Sequence, residues 1–121
     1  NNKLNLLEEA EVGFRKTLEL GNYELDTWLT RCDILIKLGE YEASVKNLFQ
    51  AAEFYPECAE IEYRLAGVYY YLSEEIKGEY HLKNGLNFEP EFTLILEELF
   101  PDVYELKAVK EIIEERENPS L

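Results

Sequence analysis

Residues 38–57 read LGEYEASVKNLFQAAEFYPE, and residues 72–91 repeat the same pattern as LSEEIKGEYHLKNGLNFEPE. Shifting the first stretch by 34 residues superimposes identical residues: Leu38 on Leu72, Glu40 on Glu74, Leu48 on Leu82, Phe54 on Phe88, Pro56 on Pro90 and Glu57 on Glu91. A fixed period of 34 residues indicates that one supersecondary unit occurs twice, so the sequence predicts a repeat architecture.

The apolar residues inside each unit follow the spacing of an amphipathic helix. In the first unit they form two runs separated by Gly39: Trp28, Cys32, Leu35 and Leu38, then Tyr41, Val45, Leu48, Ala51 and Phe54. Glycine at that point suits a helix end and a tight turn, and the prolines Pro56 and Pro90 fall near the following joint. Each 34-residue unit is therefore predicted to be a pair of antiparallel helices.

Composition supports a small, mostly helical and acidic globular protein. The 121 residues include 26 acidic and 12 basic side chains, which gives a net charge of −14, and 46% of the residues are hydrophobic. Nearly all the acids are Glu, which is a good helix former. A surface this negative repels nucleic acids and anionic membranes, so both are excluded as main partners.

The repeated unit resembles the tetratricopeptide repeat (TPR), whose pattern is W-x2-L-G-x2-Y, then A-x3-F, then P. The residues that carry the resemblance are Trp28, Cys32, Leu35, Ser44, Leu48, Ala51 and Pro56 in the first unit, and Leu65, Ala66, Tyr69, Gly78, Leu82, Gly85 and Pro90 in the second. Arg31, where Leu is usual, and Glu62, where Trp28 would recur, depart from the pattern. The resemblance implies an all-α, right-handed α-solenoid of antiparallel helix pairs.

The same period predicts how a single TPR-like domain, residues 1–121, is organised. Residues 1–22 form a half repeat that supplies only a second helix, residues 25–58 and 59–92 form two repeats, and residues 119–121 form a tail. Residues 93–118 form a capping segment, because Phe100 and Pro101 interrupt the repeat. Within it, residues 102–117 are expected to form one capping helix. The chain starts at Asn1 and contains no Met, so it is expected to be a piece of a longer protein with more repeats upstream.

Residue patterns of enzymes and of metal or cofactor sites are missing from the sequence. The only histidine, His81, has no nucleophile at a recognisable spacing, and we expect it to be a packing or solvent-edge residue. Neither a metal-ligand motif nor a phosphate-binding glycine loop occurs. Cys32 and Cys58 lie 26 residues apart and imply no disulfide, which favours a reducing compartment such as the cytoplasm, with the periplasm left open. The prediction is a non-enzyme without a metal or cofactor.

The TPR resemblance implies a concave groove that is lined by the first helix of each unit and takes a peptide or helix of a partner protein. The predicted groove residues are Leu29, Asp33, Ile36, Lys37, Tyr63, Arg64, Gly67, Tyr70 and Tyr71. Among them, Gly67 could mark close approach of a ligand backbone, and tyrosine is enriched in binding hot spots. The alternative is that these tyrosines pack on the capping segment and Gly67 has no binding role.

The predicted function is a non-catalytic scaffold for protein–protein interaction. Because Asp26, Asp33 and Glu60 lie on the groove helices, we expect a partner with basic and apolar character. Two other interpretations remain open at this point: self-assembly through the N-terminal helix, whose apolar face has no preceding partner, and a regulatory portion of a larger multidomain protein.

Overall fold

The structure, a computed structural model, describes residues 24–117, and every regular element in that range is helical. The helices are α1 (Leu25–Lys37), α2 (Tyr41–Phe54), α3 (Ala59–Tyr71), α4 (Glu75–Phe88), a 3-10 helix (Pro90–Thr93), α5 (Leu94–Leu99), α6 (Pro101–Tyr104) and α7 (Lys107–Glu117). The predicted all-α class is thereby confirmed. None of these helices combines the length and apolarity needed to cross a membrane.

The chain divides into two compact units after Pro56. The first contains α1 and α2, and the second contains α3 to α7. The predicted half repeat at residues 1–22 and the tail at residues 119–121 lie outside the described residues, so these two assignments stay predictions.

The 34-residue period is visible in the helix boundaries themselves. Helices α1 and α3 each have 13 residues, α2 and α4 each have 14, and each later helix begins and ends 34 positions after the earlier one. The short connections leave no room for any other arrangement than neighbouring antiparallel helices, and α1 packs on α2 as α3 packs on α4. The predicted helix pairs are therefore present at the predicted positions.

The turns inside the two hairpins have the same backbone geometry. In the first, Gly39 adopts a φ of 77°, and the amide of Glu40 donates to the carbonyl of Leu35 at 2.9 Å. In the second, Ser73 adopts a φ of 61°, and the amide of Glu74 donates to the carbonyl of Tyr69 at 2.9 Å. This is the Schellman type of helix end, which requires a left-handed residue.

A buried polar side chain on α2 links the two helices of the first unit. Asn47 donates from Nδ2 to the backbone carbonyl of Trp28 at 3.0 Å, and its Oδ1 accepts from the Arg31 guanidinium at 2.8 Å. A buried amide costs stability unless it is hydrogen-bonded, and here both ends have a partner. The departure from the TPR pattern at Arg31 is thus explained, because its side chain satisfies Asn47.

The second unit places a different polar pair at the equivalent positions. The repeat period makes His81 the counterpart of Asn47 and Glu62 the counterpart of Trp28. The side chains of His81 and Glu62 meet at 2.6 Å between Nδ1 and Oε2. The imidazole also stacks on Tyr69 with ring centroids 5.5 Å apart. His81 is therefore a buried packing residue, and Glu62 departs from the pattern together with its partner.

The two hairpins also differ in how they fill the space between their helices. In the first, Leu29 on α1 and Ala51 on α2 are both buried. In the second, Tyr63 replaces leucine and Gly85 replaces alanine, and the Tyr63 ring lies where a Cβ of Gly85 would be 3.1 Å away. The larger side chain on one helix is matched by the smaller one on the other, as close packing requires.

The capping segment differs from the single helix predicted for residues 102–117. Helix α6 ends at Tyr104, and α7 begins at Lys107. The amide of Leu106 donates to the Val103 carbonyl at 3.0 Å, a tight turn that ends the first helix. The break allows Val103 to be buried from α6, and Val109 and Ile113 from α7, while α7 packs on α4. The prediction of one continuous helix was wrong because it did not include this change of direction.

The equivalent turns predict opposite effects for two substitutions. Ser73→Gly should raise the free energy of unfolding by about 0.5–1 kcal/mol, because glycine adopts a positive φ without steric cost. Gly39→Ser should lower it by about 1 kcal/mol, and the effect would be conformational because a Cβ at Gly39 would have no atom within 4 Å. Urea denaturation followed by circular dichroism measures both changes. Destabilisation by Ser73→Gly would contradict the shared turn geometry.

Candidate partner-binding cleft

Two of the four predicted groove residues of the first unit are buried. Leu29 and Ile36 are 8% and 9% exposed. Asp33 is half-buried, and Lys37, in the last turn of α1, is exposed. The two apolar members of this set therefore offer a ligand little area, and the polar members remain accessible.

Tyr63, predicted to face a groove, lies inside the second unit instead. Its side chain has 0% exposure, and its hydroxyl donates to the backbone carbonyl of Glu89 at 2.8 Å. Burial raises the pKa of this hydroxyl, and the nearby charges of Glu91 and Glu89 raise it further. This placement corrects the expectation that Tyr63 meets a partner, because its contacts hold α3 to the end of α4.

The close approach expected at Gly67 is made by the chain's own Phe100. A Cβ on Gly67 would overlap the ring of Phe100, which is itself fully buried. The ring of Tyr71 meets the same phenylalanine edge-on, with centroids 5.3 Å apart. This face of α3 is covered by the segment from the 3-10 helix to α6, so Gly67 is not available to a ligand. For Gly67 and Tyr71, the packing alternative describes the structure.

Two further predicted groove residues of the second unit are, like Tyr71, partly exposed. Arg64 is half-buried, and one of its guanidinium nitrogens donates to the Glu60 carbonyl one turn earlier, at 3.0 Å. Tyr70 is also half-buried, and its ring lies against Gly78 of α4, where a Cβ would be only 2.7 Å away. Gly78 therefore lets the Tyr70 ring lie on α4, where it lines a cleft.

That cleft lies between α4 and α7 and has a volume of about 310 Å³. Tyr70 of α3 contributes one side chain, and each of the two helices contributes one wall. The lining residues are Tyr70, Glu75, Ile76, Glu79, Ala108, Glu111, Ile112 and Glu115. We call this surface the α4–α7 cleft.

The α4–α7 cleft combines negative charge with apolar surface. Both walls carry the pattern Glu-Ile-x-x-Glu, at residues 75–79 and at residues 111–115. Glutamates four residues apart on a helix are neighbours, and such like-charge pairs destabilise a helix by about 0.2–0.5 kcal/mol each. A cationic ligand in the cleft would compensate the repulsion within both pairs.

Two further observations describe the chemistry of this surface. Ile76 is 86% exposed, so its side chain offers apolar area to a ligand at the cleft. Burial raises the pKa of the Tyr70 hydroxyl, and the carboxylates of Glu79 and Glu75 add to this rise, in keeping with a negative potential at the base of the cleft. An exposed ion pair joins Glu79 to Lys83 at 3.2 Å. The cleft therefore suits a ligand that brings positive charge and apolar side chains together.

Sequence reasoning identified Tyr70 but missed the acidic walls of the cleft. Glutamates are abundant in this chain, so doublets such as Glu74–Glu75 and Glu114–Glu115 indicate by themselves only a solvated helix surface. The available signal was the repeated Glu-Ile-x-x-Glu spacing. What could not be read from sequence is that α7 turns back onto α4 and brings these two patterns to one place.

Other reactive groups in the described part of the chain are dispersed. Between residues 24 and 117, no three His, Cys, Asp or Glu side chains are grouped in a way that could hold a metal ion. Cys32 is a buried free thiol, and Cys58 is half-buried with its thiol pKa raised, chiefly by burial. The α4–α7 cleft is thus the strongest candidate for a functional surface among these residues.

Comparison with known proteins adds no assignment, since no protein-family model and no curated protein matches this chain.

The contact at Gly67 predicts that a glycine-to-alanine change, which usually stabilises a helix, will destabilise this protein. Gly67→Ala should lower the free energy of unfolding by about 1–3 kcal/mol, because the new methyl group would overpack against Phe100. Helix propensity alone would give a gain of about 1 kcal/mol. Chemical denaturation of Gly67→Ala in the native and the Phe100→Ala backgrounds separates overpacking from helix propensity. The loss of stability caused by Gly67→Ala should vanish or reverse in the Phe100→Ala background. A gain in the native background would contradict the contact.

Tyr63 predicts a loss of stability in alkaline solution. The unfolded hydroxyl ionises near pH 10 while the folded one holds its proton to higher pH, so unfolding releases a proton and the free energy of unfolding falls as pH rises above about 10. Tyr63→Phe should make that fall shallower between about pH 9.5 and 11.5, although loss of the hydrogen bond costs about 1 kcal/mol at neutral pH. Denaturation curves across this range test it, with Tyr80→Phe, a side chain 62% exposed, as the control. An unchanged slope in Tyr63→Phe would refute the assignment.

Proposed function

We propose that this protein is a non-catalytic interaction module that binds a basic, amphipathic helix of a partner protein in the α4–α7 cleft. The observation that carries the proposal is the pair of Glu-Ile-x-x-Glu patterns facing one another across the cleft. Carboxylates that line both walls would attract lysine and arginine side chains, and the isoleucines would contact apolar ones.

The charge of the whole protein supports the same partner. A net charge of −14 speeds the approach of a positively charged segment and repels an acidic one. Local charges then determine where the segment binds, because four glutamates lie within one cleft. Electrostatic attraction of this kind weakens as salt concentration rises, and this gives the proposal a direct test.

The secondary structure favours a helical rather than an extended ligand. Extended peptides commonly bind by adding a strand to the edge of a sheet, but the described residues contain no strand. A groove between two helices instead suits an amphipathic third helix, which presents anchors at positions i, i+3, i+4 and i+7. Ile76 on α4 and Ile112 on α7 are placed to contact such anchors.

We further propose that the two hairpins are TPR-like repeats of a right-handed α-solenoid. Support comes from the 34-residue offset of the helix boundaries and from the equivalent turns at Gly39 and Ser73. The proposed ligand surface nonetheless differs from the concave groove that the resemblance implies, because Phe100 covers the corresponding face of α3. The cytoplasm is the proposed compartment, on the basis of the two free thiols.

Binding of a designed peptide to the 121-residue protein tests the proposal. The probe is a fluorescein-labelled, 18-residue amphipathic helix of Leu, Ala and Lys, followed by fluorescence anisotropy. We expect binding that weakens at least tenfold between about 50 and 300 mM salt, and that weakens at least tenfold in Glu75→Gln/Glu79→Gln/Glu111→Gln.

A matched variant controls for the change in total charge. Glu42→Gln/Glu97→Gln/Glu98→Gln also removes three negative charges, but from exposed positions outside the α4–α7 cleft, so it should change affinity less than threefold. Equal losses in the two triple variants would show that the peptide senses only net charge, and no binding at all would overturn the proposed function.

A further inference from the structure

A second cleft continues the α4–α7 cleft along the same two helices. Its volume is about 250 Å³, and it shares Ile112 and Glu115 with the first. The lining residues are Lys83, Leu86, Asn87, Ile112, Glu115 and Arg116. We call it the basic cleft, because it contains two cations, whereas the α4–α7 cleft is lined by none.

The order of the lining residues shows that the two clefts follow one another. Helix α4 supplies residues 75, 76 and 79 to the first cleft and residues 83, 86 and 87 to the second. Helix α7 supplies Ala108 and Glu111 to the first cleft alone, Arg116 to the second alone, and Ile112 and Glu115 to both. The middles of the two α4 stretches are about eight residues apart, which corresponds to about 12 Å along the helix.

The two cations of the basic cleft lie beside an apolar floor. Lys83 comes from α4 and Arg116 from α7, and the lining also includes the buried Leu86, the half-buried Ile112 and one carboxylate, that of Glu115. The ion pair of Lys83 with Glu79 is exposed on both sides, with side chains 56% and 46% accessible. Exposed pairs of this kind contribute little, so Lys83 can exchange Glu79 for a ligand carboxylate at small cost.

We infer that the partner helix is charge-polarised: its Lys or Arg residues bind in the α4–α7 cleft, and a carboxylate about two helical turns away binds between Lys83 and Arg116. This inference rests on the proposed function and adds the identity of the second group. Eight residues of a bound helix also span about 12 Å, so one helix reaches both clefts. When Glu79 pairs with a ligand lysine and Lys83 with a ligand carboxylate, the exchange leaves neither charge without a partner.

Polarity of this kind would provide specificity that net charge cannot. Any basic segment is attracted to a protein of charge −14. A segment with a carboxylate at the correct spacing gains contacts with Lys83 and Arg116, whereas a uniformly basic one places a cation against them. The basic cleft therefore selects among the cationic segments that the α4–α7 cleft attracts.

Two peptides of identical composition test the inference on the intact protein. Both are labelled 18-residue helices with the same Leu, Ala, Lys and Glu content. In the segregated peptide the lysines and glutamates occupy opposite ends of one face, two turns apart, and in the interleaved peptide they alternate along that face. We expect the segregated peptide to bind about tenfold more tightly, from two charge pairs gained and two repulsions avoided.

Variants of the basic cleft should remove this preference specifically. In Lys83→Gln/Arg116→Gln the two peptides should bind within about twofold of one another, while Lys46→Gln/Lys107→Gln, which removes two exposed cations outside both clefts, should keep the tenfold ratio. Equal binding of the two peptides to the native protein, with both still weakened by the triple glutamate variant, would overturn the polarity and leave the proposed function intact. If neither peptide binds, both proposals fail.

Discussion

The contact between Phe100 and Gly67 is the constraint on which the arrangement of the second unit depends. Because Gly67 has no side chain, the Phe100 ring can lie directly against the backbone of α3, and Pro101 starts a new helix immediately afterwards. The chain then turns again before Lys107, and α7 packs on α4. The α4–α7 cleft and the basic cleft both lie where α4 and α7 meet. The surface proposed to bind a partner therefore depends on a buried aromatic contact with another helix, α3.

Sequence periodicity was sufficient for the hairpins but not for their surroundings. The 34-residue period located α1 to α4, since the positions of Gly39, Pro56 and the apolar runs record local geometry that each helix pair repeats. Tyr63 shows where this reasoning ends. It was predicted to line a groove, but it is buried, because Gly85 of α4 makes room for its ring and the segment that follows α4 also packs on α3. A single helix period cannot show how many neighbours a helix has.

The cleft residues illustrate the same limit in terms of charge. A pair such as Glu111 and Glu115 is visible as a like-charge i,i+4 spacing, but a solvated helix face tolerates such a pair at small cost. The pair can act on a ligand together with Glu75 and Glu79 only because all four line one cleft, and that arrangement depends on the break at residues 105–106. Long-range packing, rather than local pattern, decides which of the many glutamates act together.

The exchange of side-chain volume between the hairpins has a consequence for how such a protein could arise. Tyr63 and Gly85 are a complementary pair on different helices of the second hairpin, and the equivalent positions of the first hairpin hold the buried Leu29 and Ala51. Glu62 and His81 are likewise a side-chain pair that joins the two helices of the second hairpin. A chimaera that combined the first helix of the second hairpin with the second helix of the first would place Tyr63 against Ala51 and separate Glu62 from His81. The two-helix hairpin, and not the single helix, is therefore the smallest segment that duplication or recombination could transfer without loss of packing.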